Sequence, residues 1–97
     1  IEIAAPFVSQ QQNYDFLEVL GNAAQSLAQY EQAINYYKQY LAHFGTNINV
    51  LNAIGECYYT LGDTDEALYA WERSLQLEPN QEKVKAQVKA LKEKRKN

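Results

Sequence analysis

An all-α chain is what this sequence predicts, and three observations lead there. Ala, Leu, Gln, Glu and Lys dominate, residue types that favour helix, and only two prolines and four glycines interrupt 97 residues. No stretch of useful length alternates β-branched and polar residues with the period of two that a half-buried strand needs. The chain is also self-similar at an interval of 34 residues, the size of one stacked supersecondary unit. At that offset Leu17 falls on Leu51, Leu20 on Ile54, Gly21 on Gly55, Ala33 on Ala67 and Tyr37 on Trp71.

Composition narrows the chemistry. The length suits one small domain, with 46% hydrophobic and 22% charged residues and a net charge of −3. One cysteine, Cys57, and one histidine, His43, exclude an intramolecular disulfide and leave a Cys/His zinc site without ligands. No apolar run approaches the roughly 18 to 20 residues of a membrane span, and no basic-then-apolar signal segment opens the chain. A start at Ile1 reads as an excised or processed fragment, which leaves the compartment open. A single unpaired cysteine suits a reducing cytoplasm without requiring it.

In chain order, residues 1–13 are the least regular. Shifted by 68, Ile3 and Phe7 fall on Trp71 and Leu75, as the second helix of an upstream unit would, while Pro6 limits its regularity. Residues 10–13 (Gln-Gln-Gln-Asn) read as a linker, so a short frayed helix plus loop is expected. Residues 14–47 form the first copy. Gly21 lacks a side chain and lets a neighbouring helix approach, Ala33 does the same from the second helix, and Tyr37 fills the space between them. Residues 48–81 form the second, clearer copy. Leu51, Ile54, Tyr58 and Leu61 follow the stripe of an amphipathic helix. Gly62 ends that helix, and Asp63 with Glu66 three residues later begins the next as a capping box. Pro79 stops this second helix, and Asn80 is expected to cap the helix after it. Residues 82–97 carry one thin apolar stripe, Val84, Val88 and Leu91, on an otherwise polar helix.

The second copy reads Leu51-x2-Ile54-Gly55-x2-Tyr58, then Ala67-x3-Trp71, then Pro79. It resembles the tetratricopeptide repeat, a 34-residue helix–turn–helix whose signature has a large residue, Leu-Gly-x2-Tyr, Ala-x3-Phe and a closing Pro. The resemblance covers residues 14–81 as two repeats. The first departs from it at Ala24, Gly45 and Tyr40, where the family has Tyr, Pro and a small residue. The resemblance implies antiparallel helix pairs stacked as a right-handed superhelix, with residues 82–97 as the solvating helix that closes the array. It implies a protein-interaction scaffold, part of a longer repeat protein, whose first helices line a concave groove.

In that family ligands contact positions 2, 5, 9 and 12 of each repeat. In this sequence those are Asp15, Glu18, Asn22 and Gln25, then Asn49, Asn52, Glu56 and Tyr59. Amides such as Asn22 and Asn52 give and accept hydrogen bonds, which suits an extended peptide backbone. Asp15, Glu18 and Glu56 suit a partner with basic side chains. The carboxylate clamp of chaperone-adaptor members is not expected, since Glu18, Asn22, Asn52 and Ala53 stand where those members place cations.

Two other functions stay open beside the peptide groove. Removing a covering neighbour would expose apolar surface near Ile3, Phe7 and Phe16, so the chain is a candidate for pairing with itself through its edges. Charge raises the other. Residues 1–81 hold ten Asp or Glu against Lys38 and Arg73, whereas residues 82–97 hold seven Lys or Arg against Glu82 and Glu93. The basic end is thus a candidate foot for an anionic partner, although it has no aromatics for stacking nucleic-acid bases, and none is expected. Catalysis is not expected, nor is a cofactor or metal. Asn49 to Cys57 spans roughly 12 Å of helix, which separates Cys57 from His43 at the end of the preceding helix. A Glu18–Glu56 pair in an open groove would lack the dry surroundings that split two carboxylate pKa values. No Gly-rich phosphate loop is present.

Overall fold

The computed structural model describes residues 16–96, with side chains through Lys94. The extension at residues 1–13 and the candidate Asp15 lie outside the described residues. Within them the chain is helical: α1 (Leu17–Ser26), α2 (Tyr30–Phe44), α3 (Ile48–Leu61), α4 (Thr64–Leu77) and α5 (Glu82–Lys96), with no strand among the described residues. Substantial packing joins only consecutive helices, so each helix leans on its neighbours along the chain. This is the all-α stack that the sequence predicts, five helices consistent with two repeats and a closing helix.

The two glycines of the repeat are the points of closest approach. A Cβ built on Gly21 would overlap the Tyr37 ring, and one on Gly55 would overlap the Trp71 indole. Each ring therefore packs directly against the backbone of the first helix of its pair, fully buried. Around Tyr37 gather Ala24, Ala33, Ile34, Val50, Ile54, Cys57 and Ala70; around Trp71 gather Ala67, Leu68, Val84, Val88 and Leu91. Tyr58 packs against both clusters and joins them into one continuous core.

The turns inside the two pairs are copies of each other. Gln29 N donates to Ala24 O at 2.8 Å and Ala28 N to Gln25 O at 3.0 Å; Asp63 N donates to Tyr58 O at 2.9 Å and Gly62 N to Tyr59 O at 3.0 Å. Both are the paired bonds of a Schellman ending, which needs a left-handed residue after the helix. Gly62 supplies it at φ 88°, and Ala28 at φ 61°. The following caps differ. Asp63 Oδ1 accepts from Glu66 N at 3.3 Å as expected, whereas Gln29 makes no side-chain cap. Between the pairs, Asn47 Oδ1 caps α3 by accepting from Val50 N at 3.1 Å. Tyr40 fills this junction, stacking on Phe44 with centroids 4.8 Å apart and accepting a long 3.4 Å bond from Asn47 Nδ2.

Three details differ from the sequence reading. Leu20 is 40% exposed and Leu61 44%, so neither belongs to the core that Ile54 and Leu51 enter. For Leu20 the reason is that no described helix lies against the outer side of α1. Asn80 does not cap α5: the first bond runs from Lys85 N to Gln81 O, which puts Gln81 at the cap position. The Gln81 amide folds back instead, donating to Ser74 O, Ser74 Oγ and Glu78 O at 2.8–3.2 Å.

Candidate functional site

Successive three- and four-residue steps put Asn49, Asn52, Glu56 and Tyr59 on one face of α3. That face looks into a groove of about 450 Å³ whose far wall is α5. Asn49, Asn52 and Glu56 line one side, Gln81, Lys83 and Gln87 the other, and Trp71 forms the floor. Tyr59 stands beyond this groove in an adjoining cleft with Gln87 and Leu91, half exposed and 6.0 Å from the Trp71 ring.

The residues of α1 join the same surface through Glu56. Gln25 Nε2 donates to Glu56 Oε1 at 3.2 Å, bridging the first helices of the two pairs. The Tyr37 hydroxyl, carried past Gly21, emerges between the amides of α1: Asn22 Oδ1 is 2.6 Å away and Gln25 Oε1 2.9 Å. With one proton to give, it donates to one oxygen at a time, and the shorter contact is Asn22. Burial first, then the nearby Cys57, Glu18 and Glu56, push its pKa up to about 12, so it remains a donor at neutral pH.

The amides that suit an extended backbone are thus partly engaged already. Asn22 has its oxygen occupied by Tyr37, and Asn52 Nδ2 donates to Gln81 Oε1 at 2.9 Å. Asn52 Oδ1 is buried with no hydrogen-bond partner among the described residues, while its main-chain oxygen accepts from the Trp71 indole at 3.3 Å. Asn49 is exposed and Glu18 half-buried. Trp71, Gln81, Lys83 and Gln87 were not legible as groove residues, nor Tyr37 as the partner of the α1 amides. Tyr37 and Trp71 count as packing in the repeat pattern, and although both are buried, the glycines let their polar ends reach Asn22 and Asn52 on the first helices.

The remaining chemistry is quiet. Cys57 is buried, and burial followed by Glu56 pushes its thiol up to about 11, so it carries no thiolate at neutral pH. Among the described residues no group of three or more His, Cys, Asp or Glu could hold a metal ion, and no helix is long and apolar enough to cross a membrane.

Comparison with known proteins bears on this surface. Residues 15–79 match the tetratricopeptide repeat family. A TPR repeat-containing protein of Methanocaldococcus jannaschii is 35% identical over 71 residues, which cover 72% of this chain and 12% of that relative. The chain therefore spans a small part of the relative's length.

Proposed function

The chain belongs to the tetratricopeptide repeat family, generally a protein–protein interaction fold and typically non-catalytic, and on that footing we propose that its α1–α3–α5 groove receives an extended peptide segment of a partner protein. The repeats would run over residues 14–47 and 48–81, with residues 82–97 closing the stack. One observation carries the reading. Three of the eight expected contact residues, Asn49, Asn52 and Glu56, share one groove of about 450 Å³ with facing amides and a cation on α5. Peptide N–H and C=O groups find both acceptors and donors on these walls. Glu56, with Glu18 on α1, favours a basic side chain near α1, and Lys83 an acidic group or carbonyl near α5.

A peptide-display selection against the chain tests this, with an Asn49→Ala/Glu56→Ala double variant as counter-selection. The Asn49 side chain makes no hydrogen bond with a described residue and that of Glu56 only an exposed one, so folding should survive. Enriched peptides that lose binding to the variant by tenfold or more support the groove. Enrichment indifferent to the variant, or none at all, sinks it.

A second reading rests on the outer face of α1. Phe16, Val19 and Leu27 are more than half exposed and Leu20 is 40% exposed, at helical spacing along one side. Such an apolar stripe suits pairing through the repeat edge. For the basic end as a site for anions the structure offers less, since Lys92 pairs with Glu72 at 2.7 Å and Lys85 with Glu82 at 3.4 Å.

A further inference from the structure

The opposite face of α3 borders a second cavity. At 3.6 residues per turn, Leu51, Ile54 and Tyr58 lie about half a turn round the helix from Asn49, Asn52 and Glu56. They floor a cleft of about 240 Å³ between α2 and α4. That volume is below the roughly 300 Å³ at which drug-sized ligand sites begin, and it suits one or two side chains. The floor is apolar, with Leu51 and Ile54 buried and Ala70 beside them.

The rim carries charge of an unexpected sign. Lys38 and Arg73 are the only cations in residues 1–81, against ten acidic residues, and both stand on this rim. Neither forms an ion pair with a described residue. Each is held over an aromatic ring instead, Lys38 Nζ 5.3 Å from the centre of Tyr58 and Arg73 Cζ 5.7 Å from that of Tyr69. A ring face orients a cation without neutralising it. Glu66 shares the rim two turns from Arg73 on α4, leaving two cations against one carboxylate.

We infer that the α2–α4 cleft is a docking site distinct from the α3–α5 groove, and that it takes an apolar side chain flanked by carboxylates from an acidic peptide. The apolar side chain fills the space over Leu51 and Ile54, and its flanking carboxylates meet Lys38 and Arg73. The surrounding excess of acidic residues repels the same peptide elsewhere on residues 16–81, which gives the cleft its selectivity.

The test is an NMR titration of the whole ¹⁵N-labelled chain with the probe acetyl-Asp-Glu-Leu-Asp-Glu-amide at low salt. Amide shifts are expected at Lys38, Tyr58, Tyr69 and Arg73, and none with the neutral probe acetyl-Asn-Gln-Leu-Asn-Gln-amide. Lys38→Gln/Arg73→Gln should weaken binding about fivefold or more, and Glu66→Gln should tighten it about twofold, the scale of partly exposed charge pairs. A folding defect cannot mimic the second change, because its sign is opposite. Shifts confined to the lysines of α5, or an affinity unaltered in the double variant, would overturn the proposal.

Discussion

Ala28 and Gly62 sit in the same turn of their respective pairs, and only glycine is at ease there. The left-handed conformation costs a residue with a Cβ about 1–2 kcal/mol, against about 0.5–1 kcal/mol for the extra freedom glycine loses on folding. Ala28→Gly is therefore expected to stabilise the chain by about 0.5 kcal/mol. Gln29→Asp, which copies the cap made by Asp63, should add about 1 kcal/mol. Urea melts of the two variants check both values, and a fall in midpoint would contradict the turn geometry. Tyr37 and Cys57 set the response to alkali. Folding raises the Tyr37 pKa from 10.0 to about 12 and that of Cys57 from 9.0 to about 11. Between those limits the unfolded chain has released protons that the folded chain keeps, so stability falls as pH rises from about 9 to about 12. Tyr37→Phe should lower stability at pH 7 by about 1 kcal/mol through the lost hydroxyl bond. It should also flatten the decline between pH 10 and 12. Midpoints measured from pH 7 to 12 separate the two effects; an equally steep decline in the variant would exonerate Tyr37.

Among the elements, α5 does the most with the fewest apolar residues. Val84, Val88 and Leu91 cover the outer side of Trp71, Leu68 and Ala67, and all three are at least 93% buried. Leu91→Ala should cost about 2–3 kcal/mol by leaving a gap beside Trp71, which thermal unfolding would show as a clear drop in Tm. An unchanged Tm would mean that α5 is not docked. The helices themselves were legible where chemistry is local: Gly62, Asp63 and Glu66 spell an ending, a cap and a beginning. The cap of α5 was not, because Gln81 takes its role from Ser74 on the preceding helix and Glu78 just beyond its end, partners that no local rule supplies. The candidate site divides the same way. Asn49, Asn52 and Glu56 share a face by helical period alone. Gln81, Lys83 and Gln87 face them only because α5 stands across the groove from α3, and Leu20, aligned with the buried Ile54 by the repeat, is left 40% exposed.

At the scale of the molecule, the two ends of the stack differ in kind. Among the described helices, the last is α5, whose outer surface is lysine-rich, and the first is α1, which shows an apolar side. If that side pairs copies of the chain, light scattering at rising concentration will show a dimer that Leu20→Glu returns to monomer; a monomer throughout removes the reading. Between the ends, packing runs from each helix to the next with little to bind distant ones. A mechanical load applied along such a stack has few cross-links over which to spread among the described helices, chiefly the side-chain bonds Gln25–Glu56 and Asn52–Gln81. It would be borne in series, one helix pair at a time, and the first pair would yield before the second, since its turn holds Ala28 in the left-handed conformation and α2 has no side-chain cap. Under tension this protein is a graded spring, compliant in the first pair and stiff where Tyr58 pins the two clusters together.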